Sequence, residues 1–175
     1  MVKAEGCGGG DVADDPKQAP GAPGEPGNWA PAGKTGVGTA LGTASPVWFT
    51  ISQGVLTEVF YPFVDTACTR DLGLLVADGK EFFSEERRDT KSDVRHAGAG
   101  VPAFHLTNTC KQGRYRVEKT VLSDPRRAAV LQQIHLTPLQ GKLTDYTVCA
   151  LLAPRLGNQG DGNSAWVADY KGTPM

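Results

Sequence analysis

Little in this sequence points to a metal, a membrane or a nucleic acid. Of its four cysteines, Cys7, Cys68, Cys110 and Cys149, no two form a C-x-x-C pair, so the ligand spacing of a zinc site is missing. Cys149 lies in an apolar run, where a buried free thiol is at home. The cysteines are therefore expected to be free rather than bridged. The three histidines, His96, His105 and His135, show no H-x-H or H-x-x-x-H spacing and read as half-buried, hydrogen-bonded strand residues; no metal and no cofactor is expected. Eighteen basic residues against nineteen acidic ones leave a net charge of -1, which gives no field to attract nucleic acid or an anionic membrane. No run approaches the ~18 apolar residues of a membrane helix. The opening MVKAEGCGGGDVADD has no apolar stretch before its cysteine, so no secretory or lipoprotein signal is complete. On that reading the chain is cytoplasmic or has lost a leader.

Helix signals are missing as well. No segment sustains an i, i+3, i+4, i+7 apolar stripe, and 22 glycines with 12 prolines work against long helices. Residues 1–33, rich in Gly, Pro, Ala and Asp and almost without large apolar side chains, read as a flexible leader and arm. From residue 34 onward the period is two, in short runs separated by Gly, Pro, Asp or Asn, which is the pattern of antiparallel sheets. Val47, Phe49 and Ile51 share one face of a strand. Val55, Thr57, Val59 and Tyr61 share a face of the next, joined through Ser52-Gln53-Gly54 as a hairpin. Residues 70–78 place Leu72, Leu74 and Val76 on one side and Leu75 and Ala77 on the other, and Asp78-Gly79 turns the chain into Glu81-Phe82-Phe83. Further strands are expected at 103–109, 114–122, 128–139 and 144–153. Their short separators make sequence neighbours sheet neighbours. The fold class is all-β, an antiparallel sandwich in preference to a closed barrel. The final segment, 165–175, reads as a strand and an unfinished turn, so the sandwich domain (34–175) is expected to be incomplete at its C-terminal end.

Tests for chemistry are mostly negative. Gly33-Lys34-Thr35 resembles the end of a P-loop, but the first glycine of that motif would be residue 28, which is Asn28, and the residues after Thr35 lead into a strand instead of a phosphate-binding helix. The densest polar group is Glu58, Tyr61, Asp65, Arg70 and Asp71. Paired carboxylates are what glycoside hydrolysis uses. Arg70 beside Asp71, however, would hold nearby acids ionised and work against a general acid, so the group reads as an ion-pair network that is structural or at an interface. Aromatic residues are only 7% of the chain. Trp48 and Phe49 read as core, whereas Trp29, in a proline-rich loop, is free to stack on a sugar ring.

In order along the chain, GAPGEPGNWAPAGKTGVGTAL, VWFTISQGVLTEVFYP, VDTACTRDLGLLVADG and LLAPRLGNQGDGNSAWV resemble the N-terminal domain of bacterial glucoamylases and glucodextranases of glycoside hydrolase family 15. The resemblance runs from about Gly21 to Val167. It implies a large antiparallel, supersandwich-like β-sandwich preceding an (α/α) barrel that carries the paired glutamates of an inverting exo-acting hydrolase, and no catalytic residue of that barrel matches a position here. For Tyr61, Asp65, Arg70 and Asp71 it implies packing of the sandwich or contact with the catalytic barrel domain as partner. Pro46, Phe60 and Arg155 depart from the family pattern, where Arg, Tyr and His are common. The expected role is an accessory domain, non-catalytic by itself; the alternative is a stand-alone carbohydrate-binding module that takes α-glucan.

Overall fold

The computed structural model of the protein describes residues 29–158, 163 and 169–174. Two antiparallel sheets face each other. The first contains β1 (Gly36–Thr39), β2 (Trp48–Ser52), β3 (Val55–Phe60), β4 (Thr69–Ala77), β5 (Phe83–Glu85) and β10 (Thr147–Pro154), in the order β1-β2-β3-β4-β10, with β5 also on β4. The second contains β6 (Thr90–Gly98), β7 (Val101–Cys110), β8 (Tyr115–Ser123) and β9 (Val130–Pro138) in sequential order. A one-turn helix, α1 (Glu86–Asp89), carries the chain from the first sheet to the second. A 3-10 turn at Leu143–Asp145 leads it back to β10. A small hairpin, β11 (Asp169–Tyr170) and β12 (Thr173–Pro174), lies apart from both sheets. The fold class read from the sequence is therefore the observed one.

The core forms where the inward faces meet. Phe49, Ile51 and Leu56 pack on Phe104, Leu106 and Val121, and Leu74, Val76 and Phe82 pack on Cys110, Tyr115 and Val117. Each fully buried side chain of this kind stabilises the fold by roughly 1.5–3 kcal/mol. Edge-to-face pairs, Phe49 with Phe104 at 6.0 Å and Phe82 with Tyr115 at 6.2 Å between ring centroids, add orientation to that burial. The β2–β3 hairpin turns on two residues, Gln53 (φ 50°) and Gly54 (φ 75°), since two positive φ values match the right-handed twist of the flanking strands.

Several details depart from the sequence reading. The alternation of Val55, Thr57, Val59 and Tyr61 breaks, because the β2–β3 register shifts between Phe49 and Ile51. Thr50 at that shift is buried, its hydroxyl 2.7 Å from that of Thr57, and Leu56 and Val59 both pack on the first core cluster. Tyr61 leaves the strand and is exposed. Strand β6 was not anticipated, because its side chains are largely polar and exposed. It forms as an edge strand whose ladder bonds are all to β7. Trp48 is 38% exposed: it points away from the face that Phe49 buries. Cys149 is exposed on the edge strand β10, while Cys68, Cys110 and Cys149 are free thiols. The histidines are exposed and not half-buried, and His105 shares a 3.0 Å hydrogen bond with Thr120. Residues 1–28, including Cys7, and 164–168, including Trp166, lie outside the described residues.

One side of the sandwich is open. Ile134 of β9 pairs with Lys119 and so shares its inward face, yet it is 41% exposed. Leu152 of β10 pairs with Leu72 on the inward face of the first sheet, yet it is 52% exposed. Apolar residues in the inward register of both edge strands thus lack a covering layer among the described residues.

Candidate functional site

The strand ends sort the surface into two poles. At one pole β2 and β4 begin while β3 and β10 end, as the Trp48–Phe60 and Pro154–Thr69 pairs require. The first residue of β2, Trp48, and the loops there, with Trp29, Tyr61 and Phe63, carry four of the five exposed aromatic residues among those described, together with Val64 and Leu156. Trp29 is the barest at 77% exposed, followed by Phe63 and Val64 at 68% and 64%. Phe63 and Val64, with Pro46, Trp48, Pro62 and Asp65, line an open hollow of about 510 Å³.

This loop is firmly held. The Tyr61 N–H donates to Thr66 O at 3.0 Å, and the Thr66 N–H donates to Phe63 O at 3.1 Å. Asn158, beyond β10, accepts from the Ala67 N–H at 3.1 Å and donates to Asp65 O at 3.3 Å. Arg155, 4% exposed, lays its guanidinium over the Trp29 ring at 4.1 Å, a cation–π contact. One face of the proposed sugar platform is therefore occupied by protein.

The five polar residues singled out in sequence are not brought together. Glu58 pairs with Lys34 at 2.6 Å, which also commits the lysine of the rejected P-loop motif, and Gly36 begins a strand. Tyr61 and Asp65 lie in the aromatic loop. Asp71, buried on β4, accepts from Arg87 of α1 at 2.9 Å, with Arg70 farther off at 3.9 Å. Arg87 also approaches Glu85 at 3.7 Å. The expected ion-pair network exists at Asp71, but its main partner is an arginine sixteen residues on.

A second polar constellation escaped the sequence reading altogether. Glu86 of α1 is fully buried and accepts from Lys119 Nζ at 2.5 Å, the Leu74 N–H at 3.0 Å and Asn108 Nδ2 at 2.6 Å. Asn108 Nδ2 also donates to Gly54 O at 2.8 Å. Both sheets, α1 and the β2–β3 hairpin are thus joined at one carboxylate. Burial pushes the Lys119 ammonium below its ordinary range against the pull of Glu86. The legible signal was register: Lys119 stands at the inward parity with Tyr115, Val117 and Val121, and a lysine there demands a buried counter-charge.

At the opposite pole, Asp78 caps the β4–β5 turn, its Oδ1 accepting from the N–H groups of Lys80 and Phe82 at 2.9 and 3.0 Å. Those backbone bonds hold its carboxyl below the ordinary value. Among the described residues no group of three or more His, Cys, Asp or Glu side chains is placed to hold a metal ion, and no helix is long and apolar enough to cross a membrane.

The family model for glucodextranase, domain N, matches residues 19–175. The chain belongs to the glucodextranase domain N family. Among curated relatives, this domain N chain is 39% identical over 153 residues to a glucoamylase of Clostridium sp. (strain G0005), covering 87% of this chain and 22% of the relative. Among solved structures, it matches a bacterial glucoamylase crystallised with acarbose at TM-score 0.79 and 38% identity, covering 82% of this chain and 21% of the other. The chain thus spans about a fifth of the length of the relatives it matches.

Proposed function

We propose that this domain is the N-terminal accessory part of a glucoamylase-type, exo-acting glycoside hydrolase, that it docks through its aromatic pole onto the catalytic (α/α) barrel of the same enzyme, and that it is non-catalytic alone. The observation that carries this reading is the concentration of exposed aromatic and aliphatic side chains on one rigid pole. A patch of that kind, rimmed by polar residues, marks an interaction surface. Tyr61 and Asp65 are assigned to the contact itself. Arg70 and Asp71 are assigned to bracing β4 beneath it, through Arg87. The open side at β9 and β10 supports a second element of the proposal: further strands of the same domain cover Ile134, Val148 and Leu152.

Carbohydrate hydrolysis by this part alone has no support in the geometry, since Glu58 and Asp71 are engaged by cations and Asp65 sits on an exposed loop. The test compares residues 1–175 with the polypeptide extended through the barrel, both supplied with maltooligosaccharides. The extended form should release glucose and the shorter one none. Glucose release by residues 1–175 would overturn the assignment.

A further inference from the structure

The pole opposite the aromatic loops holds a concave site of about 400 Å³ between the β4–β5 turn, the start of β8 and the 3-10 turn before β10. That volume lies within the ~300–1,000 Å³ typical of small-molecule sites. Asp78, Lys80, Arg114, Thr144, Asp145 and Tyr146 are among its lining residues. The geometry points to a binding site for a neutral, polyhydroxylated molecule of sugar size, separate from the docking surface.

Charge selects the class. Two carboxylates face two cations, so an anion would meet Asp78 and Asp145, and a cation would meet Lys80 and Arg114. A zwitterion carries one charge of each sign and would leave the second pair unmatched. A hydroxyl group both donates and accepts, and a molecule bearing several can satisfy all four groups at once.

The hydrogen-bonding capacity is open. Among the described residues no salt bridge engages Lys80 or Arg114. The Arg114 guanidinium is instead held 4.9 Å from the Phe82 ring centroid, which fixes its plane and leaves its N–H groups for a ligand. Asp78 and Asp145 each use one oxygen for turn N–H groups, Lys80 and Phe82 for the former and Lys142 for the latter. The second oxygen of each is available to accept. Tyr146 is fixed by its hydroxyl, which donates to Gln140 O at 2.8 Å, and by an edge-to-face contact with Phe82 at 6.1 Å. The floor of the site is therefore preorganised, so little ordering opposes binding.

This inference does not rest on the docking role, and its test uses residues 1–175. Amide chemical shifts are followed by NMR while methyl α-glucoside, inorganic phosphate and glycine are titrated separately. The glucoside should shift Lys80, Gly141, Thr144 and Asp145 saturably, with a midpoint on the order of 1–10 mM. Arg114→Ala should weaken that midpoint about tenfold. Lys80→Ala, which leaves the Phe82 contact intact, should weaken it in the same direction. Saturable shifts with phosphate or glycine but not with the glucoside would overturn the assignment, and so would the absence of shifts at these amides.

Discussion

Glu86 and Lys119 carry the sharpest energetic consequence at the residue scale. Removing one partner of a buried pair leaves an uncompensated charge, which costs about 3–5 kcal/mol. Lys119→Met should therefore destabilise the domain by that amount in urea unfolding. Glu86→Gln combined with Lys119→Met should cost clearly less than the sum of the single changes, because glutamine still accepts from Leu74 or Asn108. Tyr115 gives a second prediction. Burial pushes its phenol up to about 12, against a smaller lowering by its 2.8 Å hydrogen bond with Ser84. A raised folded value means that the stabilisation is complete below the unfolded value near 10 and is lost as pH rises from there toward 12. Spectrophotometric titration should show one phenol ionising late, and Tyr115→Phe should abolish that step.

Among the elements, the β2–β3 hairpin is the most constrained. A Cβ at Gly54 would collide with Asn108 Oδ1 and Ser92 Cβ, and the positive φ adds strain. Gly54→Ala should cost more than about 1 kcal/mol in thermal unfolding, whereas Gly79→Ala, with open space around it, should cost less. Elements of this kind were legible where one face is buried and the turn chemistry is strong: Val47, Phe49 and Ile51 are all inward, and Gln53-Gly54 turns as its residues demand. What the sequence concealed has physical causes. Thr50 and Thr57 stabilise a register shift by a hydroxyl pair that no periodicity reveals. Strand β6 has almost no apolar face to announce it, and Cys149, in an apolar run, pairs with Leu75 on the outward face of the edge strand β10. Of the proposed contact residues, Tyr61 and Asp65 fall in the aromatic loop, while Arg70 and Asp71 fall in the Arg87 network. Val64, an exposed aliphatic member of that loop, was not singled out, because a single exposed apolar residue in a sequence is ordinary and only the fold gathers it with its neighbours.

For the whole molecule, the two poles divide the work: one presents aromatic side chains on a braced loop, and the other presents balanced charges around a hollow. Coupling between this domain and a barrel should then depend on the first pole. In the extended polypeptide, Phe63→Ser with Val64→Ser should split a single calorimetric transition into two while leaving the stability of residues 1–175 within about 0.5 kcal/mol, as for other exposed positions. The most direct test of the docking claim is amide hydrogen exchange of the 61–68 loop, compared between residues 1–175 and the polypeptide extended through the barrel. The account predicts slower exchange of the Phe63, Val64 and Asp65 amides in the extended form; identical exchange at those amides in both forms would contradict it.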